Sequence, residues 1–284
     1  MMKRPILTVL AVALTAALAQ ADLLLYYNFE EEPGGTTVID QSTYGFDGTM
    51  EYGFPDSSTA LPEYIKRPGG SQALLFGYDD GVAGAGWNDI NVARDPALAY
   101  IGQQWSMAFW ARQDDNVLEW SGGWPRIISS PNYEIELGAS IDTTTYFWPW
   151  SPEDPAWDTA MAPSPDLGVW FHMAVTYDGE TLRQYIDGQE VFTKTGLGPF
   201  DEDSWFDENV EEATLRIGTQ SYFNKNYLVG ALDDVAIWGH GYLDADAVAG
   251  LVNGTYDPSS APTIPEPATL LLLGFGMLAL RKKS

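Results

Sequence analysis

Cysteine is absent from all 284 residues, and histidine occurs only twice, at His172 and His240. The lack of thiols excludes disulfide bonds, thiolate nucleophiles and cysteine-ligated metals. The two histidines do not have the spacing of metal ligands, and no Gly-x-Ser-x-Gly elbow marks a serine nucleophile. Nucleophilic catalysis of these kinds therefore has no support in the sequence.

Positive charge is also scarce. The chain has 14 lysines and arginines against 40 aspartates and glutamates, so its formal net charge is −26 at pH 7. A polyanionic surface repels nucleic acid and anionic membranes, and we therefore expect no nucleic acid partner. Such a surface suits divalent cations or a salty medium, but the composition alone favours a solvated surface over a specific acidic function.

The first 21 residues are predicted to be a secretory signal peptide. Lys3 and Arg4 precede an apolar run from Ile6 to Leu18, and Ala19 and Ala21 form the small-residue site that a signal peptidase needs. The apolar run is shorter than the ~20 residues of a membrane-spanning helix, which disfavours a retained anchor. We expect cleavage before Asp22 and export of the chain.

The stretch from Trp170 to Gly188 predicts a β-hairpin. Apolar residues occupy every second position of its first half, at Phe171, Met173, Val175 and Tyr177, and this period is typical of a strand. Asp178-Gly179 follows at once, and this pair favours a tight hairpin turn because both central residues need positive φ. A second run, Leu182 to Ile186, ends in another turn pair, Asp187-Gly188.

This hairpin, W-x-H-x-A-V-T-Y-D-G-x-x-L-x-x-Y-x-D-G, resembles the signature of LamG-like, concanavalin A-like jelly-roll domains. Further stretches resemble other strands of that family in the same order: Leu24–Phe29 with Asp40–Gly48, Ala73–Phe76, Trp105–Trp110, Leu215–Gly218 and Gly230–Trp238. The resemblance implies an all-β, two-sheet antiparallel jelly-roll sandwich over residues 22–256, with the first and last strands side by side. It also implies a structural role for His172.

A short helix is expected near the end of this domain. Apolar residues recur at helical spacing between Leu243 and Asn253, and Asp244 is placed to cap the helix. The LamG-like family usually has a short helix at this position. The predicted body therefore ends in one helix, followed by a polar linker over residues 257–263.

The C-terminal segment, residues 264–284, resembles a PEP-CTERM sorting signal. It contains Pro265-Glu266-Pro267, an apolar stretch of thirteen residues and a closing Arg281-Lys282-Lys283. The resemblance implies an exosortase-like membrane processing enzyme as a partner, a bacterium that makes extracellular polysaccharide, and delivery to the envelope, cell surface or matrix. We expect the apolar stretch to be a transient or retained membrane segment, and a plain C-terminal anchor is the alternative.

The resemblance further implies a calcium ion between the first and last strands. The matching positions are Glu30, Asp40, Asp47 and Asp233, and carboxylates are ligands that Ca²⁺ prefers. Since alternate residues of a strand face opposite sides, only one of Asp233 and Asp234 is expected to face the ion. The alternative is a set of strand-end acids without a metal.

Aromatic residues cluster in loops rich in glycine and proline, and they predict a glycan-binding surface. The candidates are Trp124, Tyr146, Trp148 and Trp150. Exposed rings can stack on sugars, whereas rings packed inside the sandwich are the alternative. We therefore expect an extracellular polysaccharide or a surface protein as the second partner.

A polysaccharide-active hydrolase or lyase is the rival function, because some concanavalin A-like relatives are glycoside hydrolases. Such enzymes use two carboxylates on one strand face. Glu134 and Glu136 share a face, but a third acid is absent from positions 138–140. We expect both glutamates to face solvent, and the sequence favours adhesion or binding over catalysis.

Overall fold

The structure, a computed structural model, describes residues 21–52, 60–79, 82–83, 88–115, 124–130, 132–138, 144–149, 159–198, 214–221 and 226–265. Strands and helices are numbered in chain order. The described residues form two eight-stranded sheets and two additional strand pairs.

The first sheet has the strand order β16-β15-β14-β9-β18-β5-β4, and β1 also pairs with β18. Its strands are β1 (Asp22–Tyr27), β4 (Glu63–Lys66), β5 (Gln72–Phe76), β9 (Trp105–Gln113), β14 (Phe171–Tyr177), β15 (Thr181–Ile186), β16 (Gln189–Thr195) and β18 (Gly230–Gly239). The pairing of β1 with β18 confirms that the first and last long strands lie side by side.

The second sheet has the order β13-β12-β11-β10-β17-β8-β3-β2. Its strands are β2 (Thr37–Val38), β3 (Gly48–Tyr52), β8 (Asn88–Val92), β10 (Arg126–Ser129), β11 (Tyr133–Glu136), β12 (Thr144–Pro149), β13 (Thr159–Pro163) and β17 (Leu215–Ile217). The remaining elements are the pair β6 (Tyr78–Asp79) and β7 (Val82–Ala83), the pair β19 (Gly241–Tyr242) and β20 (Ile264–Pro265), α1 (Pro96–Ala99) and α2 (Ala245–Val252).

The two sheets pack face to face around one apolar core. Trp105 of β9 stacks on Phe147 of β12, with ring centroids 4.8 Å apart. Tyr133 and Tyr177 are buried in the same cluster and come from opposite sheets. This packing confirms the predicted all-β, two-layer antiparallel sandwich, because each sheet buries its inner face against the other.

The central hairpin forms where the sequence predicts it, but three residues separate its strands and Asp178 does not have the expected positive φ, whereas both residues of Asp187-Gly188 do. Phe171 and the apolar residues at alternate positions after it point into the core, whereas Ala174 belongs to a second cluster on the outer face. In the turn, Asp178 accepts hydrogen bonds from the backbone N–H groups of Glu180 and Thr181, and Gly179 has a φ of 96°.

Helix α2 covers the outer face of the first sheet. Its N-cap is Asp244, whose side chain accepts a hydrogen bond from the backbone N–H of Ala247 at 2.8 Å, as the sequence predicts. Val248 and Leu251 of the helix pack with Ala174 and Trp238 of the sheet. The small alanines of the sheet let the helix approach closely, so the outer face is apolar under α2 and polar beyond its C-terminal end.

The segment after α2 returns along the domain. Ala261 is buried, and the backbone N–H of Ala21 donates to the Thr263 hydroxyl at 2.7 Å. Strand β20 then pairs with β19, and so Pro265 is held at the edge of the domain. Among the helices that the structure describes, none has the length and apolar character needed to span a membrane.

Candidate functional site

A cleft of about 800 Å³ lies where α2 ends over the first sheet. Residues of β9, β14 and β18 contribute to its lining, together with the turn between β4 and β5 and residues 251–260. Besides His172, its charged and aromatic side chains are Arg67, Trp110, Asp234, Tyr256 and Asp257. The cleft therefore joins five segments of the chain that are far apart in sequence.

Trp110 and His172 form the part of the cleft that belongs to the sheet. They are directly opposite each other on β9 and β14. Their neighbours Phe109 and Phe171 are in the core, so strand alternation turns Trp110 and His172 outward. The two rings meet edge to face, with centroids 5.3 Å apart and an interplanar angle of 72°.

His172 is a neutral imidazole in the wall of the cleft. Burial lowers its pKa to about 3, and the charge of Arg67 adds to the shift. Its side chain is only 3% exposed, and Nδ1 has no hydrogen-bond partner among the described residues. A neutral imidazole has one donor and one acceptor nitrogen, so the wall holds an unused hydrogen-bonding group.

Arg67, in the turn between β4 and β5, carries the positive charge of the cleft. Its Nε lies 2.7 Å from Oδ2 of Asp233, and its Nη2 lies 3.4 Å from Oδ2 of Asp234. The guanidinium carbon is 4.3 Å from the centroid of the Trp110 ring. The arginine therefore ties the β4–β5 turn to β18 while it lies over the indole.

Asp233 and Asp234 both contact Arg67, so the strand alternation used to choose between them does not hold here, and which of them would face an ion stays a prediction. The pairing of β18 with β9 shifts register between Asp233 and Ala236, and Asp234 has a φ of 49°. This β-bulge breaks strand alternation and turns both carboxylates to one side. Burial, followed by the charge of Asp234, raises the pKa of Asp233.

Asp40, one of the predicted calcium ligands, is occupied by protein donors. Its Oδ1 accepts from the backbone N–H groups of Tyr26 and Ser42, both at 2.9 Å. Its Oδ2 accepts from the Ser42 hydroxyl at 2.6 Å and from the Phe46 N–H at 2.8 Å. The carboxylate holds a tight turn against β1, and both oxygens are used in doing so.

The other predicted ligands are also engaged. Asp47 accepts a hydrogen bond from the Asp40 backbone N–H, and Glu30 accepts one from the Gln72 N–H at 2.7 Å. The described residues contain no group of three or more acidic or histidine side chains arranged to hold a metal ion. As arranged, these residues do not fit a divalent cation, and calcium binding stays a prediction.

Trp124 and Tyr146, the predicted aromatic ligands whose side chains the structure describes, are not among the residues that line the cleft. Trp124 is 39% exposed and precedes β10, and Tyr146 is half-buried on β12, in register with Glu136. Trp148 is in register with Glu134, but the structure does not describe its side chain, and Trp150 lies outside the described residues. A glycan surface on these rings stays a prediction.

Glu134 and Glu136 are buried rather than solvent-facing, which corrects the sequence prediction. Their exposed fractions are 1% and 2%, because both contact the guanidinium of Arg126. The Nε of Arg126 lies 3.0 Å from Glu134 Oε2, and the Ser129 hydroxyl donates to the other oxygen of Glu134. The two carboxylates thus share the positive charge of Arg126, and this buried arrangement is typical of a structural role.

The predicted sorting and cleavage residues lie mostly outside the described residues. Ala19, Glu266, Pro267, Arg281, Lys282 and Lys283 are all in that part of the chain. Ala21 is buried, and Pro265 is the last described residue.

Two sequence profiles match the chain. The profile of the concanavalin A-like lectin/glucanases superfamily matches residues 84–249, and that of the PEP-CTERM protein-sorting motif matches residues 263–283. Both confirm the resemblances found in the sequence. No curated protein matches the chain with significant sequence similarity.

Solved structures share the fold at low sequence identity. Domain 4 of AbnA, a GH43 extracellular arabinanase from Geobacillus stearothermophilus, was solved in complex with arabinotriose; the match has a TM-score of 0.56 and 18% identity and covers 82% of this chain and 99% of that one. The binding domain of botulinum neurotoxin DC, in complex with rat synaptotagmin II, matches with a TM-score of 0.54 and 14% identity over 83% of this chain and 52% of that one.

The binding domain of Paraclostridial Mosquitocidal Protein 1 has a TM-score of 0.53 and 15% identity over 82% of this chain and 52% of that one. The chain thus spans about half the length of the two toxin domains. Identities in this range establish a shared architecture, in which binding sites differ from protein to protein.

Proposed function

The chain belongs to the concanavalin A-like lectin/glucanases superfamily and carries a PEP-CTERM protein-sorting motif, and from this premise we propose that it is an exported envelope or matrix protein that binds neutral oligosaccharides in the cleft beside α2. The motif implies export and sorting to the cell envelope. The binding role, the ligand class and the site are our proposal.

The composition of the cleft is the observation that carries this proposal. Ligand sites are concave, and they combine apolar ring surface with a few convergent polar groups. The cleft offers the half-buried indole of Trp110 beside the charged groups of Arg67, Asp234 and Asp257. Carboxylates accept hydrogen bonds from hydroxyls and guanidinium groups donate to them, so a polyhydroxylated ring matches this set. A volume of about 800 Å³ is sufficient for a short oligosaccharide.

The charge around the cleft favours neutral sugars over uronates. Asp233, Asp234 and Asp257 lie in or next to the cleft, where Arg67 is the cation that contacts the first two. The net charge of the whole chain, −26, has the same sign. A ligand that carries carboxylates would be repelled both in the cleft and at long range.

The comparison with the arabinanase domain supports a sugar ligand. That domain was solved with arabinotriose, a neutral pentose oligosaccharide, and its whole length is covered by the match. The likeness concerns the fold, so the identity of the sugar has to come from binding measurements on this chain.

Calorimetric titration of the purified protein with arabinotriose, cellotriose, laminaritriose and trigalacturonate tests the proposal. We expect at least one neutral trisaccharide to bind and trigalacturonate not to bind. Trp110→Ala and Asp257→Ala should weaken binding tenfold or more. Tyr52→Ala removes an exposed aromatic residue of the second sheet and is the matched control, with affinity unchanged.

The titration also separates the cleft from the predicted aromatic surface. If Trp124→Ala abolishes binding and Trp110→Ala does not, the sugar binds on the second sheet and the cleft is excluded. If no neutral or acidic trisaccharide binds, the proposed function is wrong. A reducing-sugar assay with the same oligosaccharides tests the alternative hypothesis of a hydrolase, and we expect no new reducing ends.

We propose that an exosortase-like enzyme processes the tail after export. Replacing Pro265, Glu266 and Pro267 with alanine should leave a longer, membrane-associated form in immunoblots of cell fractions, whereas the wild-type chain is shortened. Identical fractionation of the two proteins would argue against processing at this motif.

A further inference from the structure

The junction of β1, β5 and β18 contains two carboxylates whose negative charge must be compensated. Asp233 is fully buried and Asp234 is partly buried, and they are consecutive in the chain. A buried carboxylate without a partner is strongly destabilising. In a jelly roll whose resemblance implies calcium here, a divalent cation would be the expected compensation.

We infer that the guanidinium of Arg67 takes the place of a divalent cation at this junction, so that the fold is held there without a metal. The donors on the carboxylates carry this inference. Oδ2 of Asp233 accepts from the Ser71 hydroxyl at 2.9 Å and contacts Nε of Arg67 at 2.7 Å. Oδ1 of Asp233 accepts from the backbone N–H of Asp234 at 2.9 Å.

The oxygens of Asp234 are used in the same way. Oδ1 accepts from the Tyr26 hydroxyl at 2.9 Å, and Oδ2 contacts Nη2 of Arg67 at 3.4 Å. All four carboxylate oxygens therefore face a protein donor. Calcium needs six to eight oxygen ligands around one point, whereas this junction surrounds its oxygens with N–H and O–H groups.

Arginine suits this role because its charge is permanent and its fork of donors is planar. The fork spans both carboxylates, and the Trp110 ring beneath it fixes the plane of the guanidinium at 4.3 Å. The Ser71 hydroxyl supports the same fork, since it accepts from Nε of Arg67 at 3.0 Å. The positive charge thus comes from a residue of the β4–β5 turn, and its contacts with Asp233 and Asp234 tie this turn to β18.

Thermal unfolding of the purified wild-type protein, with EDTA and with millimolar CaCl2, is the first test. We expect the same Tm in both solutions, because the resident cation is covalently part of the chain. A Tm that falls in EDTA and returns with CaCl2 would overturn the inference. This arm needs no variant, and it uses no sugar, so its outcome is independent of the proposed function.

Variants supply the second test. Arg67→Met keeps the apolar stem but removes the charge, and it should lower Tm by roughly 5–15 °C. Asp233→Asn in the Arg67→Met background should recover part of that loss, and CaCl2 should recover part of it as well. Arg67→Lys keeps a charge without the fork and provides a milder variant should Arg67→Met not fold.

Arg183→Met is the matched control. Arg183 pairs with Asp178 at 2.6 Å on the more exposed hairpin, and its removal should cost less and should not respond to CaCl2. If Arg67→Met has the wild-type Tm, or if neither Asp233→Asn nor CaCl2 recovers its stability, Arg67 is not the compensating cation.

Discussion

The guanidinium of Arg67 lies over the indole ring of Trp110, 4.3 Å from its centroid. One residue thus belongs to two arrangements: it compensates Asp233 in the sheet, and it lines the cleft in which we place the sugar. The stability of the last strand and the shape of the cleft are therefore linked through a single side chain.

The turn held by Asp40 should be sensitive to the loss of its charge. Asp40→Asn replaces one oxygen with an amide donor, so at least one backbone N–H loses its acceptor. We expect a loss of about 2–4 kcal/mol in the free energy of unfolding, measured by urea denaturation. Asp47→Asn is the control, because its remaining oxygen can still accept from the Asp40 N–H, and it should cost below about 1 kcal/mol. Equal losses would contradict this account of the turn.

His172 should make stability depend on pH in the acid range. Its pKa is about 3 in the folded protein because of burial and the nearby Arg67, whereas an unfolded histidine has a pKa of about 6.5. As the pH falls, the unfolded state therefore binds a proton before the folded state does. The contribution of the neutral His172 to the free energy of unfolding is complete above pH 6.5 and is lost as the pH falls towards 3.

The comparison with His172→Gln isolates this contribution, because the aspartates and glutamates are common to both proteins. The wild type should lose up to about 1.4 kcal/mol per pH unit relative to the variant below pH 6.5. Parallel stability curves for the two proteins between pH 4 and pH 7 would show that the imidazole is not held neutral.

Gly230 should not accept any side chain. A Cβ at this position would lie 2.0 Å from the backbone oxygen of Arg112 on β9, the strand that pairs with β18. Gly230→Ala must push the two central strands apart, and we expect a loss of at least about 3 kcal/mol. Gly196→Ala has open space around it and a φ of 84°, so it should cost only about 1 kcal/mol. Chemical denaturation of both variants compares the two effects.

The buried ion pairs of Arg126 should behave as a unit. Arg126→Met leaves Glu134 and Glu136 in the protein without their cation, and we expect a loss of about 3–5 kcal/mol. Replacing both glutamates with glutamine in the same variant should recover much of that loss, because it removes the uncompensated charge. A double-mutant cycle by urea unfolding measures the recovery, and additive losses would show that the three residues do not interact.

The sequence predicts the sandwich because its strongest signals are local. The alternation around Met173, the turn at Asp178 and the cap at Asp244 each depend on neighbours within a few residues, and the structure contains all three. The order of the resembling segments then places β1 beside β18. Periodicity and turn chemistry therefore predict the strands, and the family resemblance predicts their arrangement in two layers.

The site is less accessible to sequence analysis because it depends on long-range geometry. Arg67 lies in a stretch with prolines and glycines, and nothing nearby indicates that it reaches Asp233, which is 166 positions further along the chain. The bulge at Asp234 breaks the alternation on which the choice between the two aspartates rested. Glu134 and Glu136 alternate as solvent-facing residues do, and only the contact with Arg126 shows that they are buried. The outward position of Trp110 is the one signal that strand alternation could have provided.

Hydrogen–deuterium exchange of the purified protein, with and without the neutral trisaccharide that binds it, tests the location of the site most directly. We predict that the sugar slows exchange of the backbone amides in residues 251–257 and in β9 and β14 next to the cleft, and leaves β12 unchanged. Slower exchange in β12 with no change in residues 251–257 would contradict the account, because it would place the sugar on the second sheet.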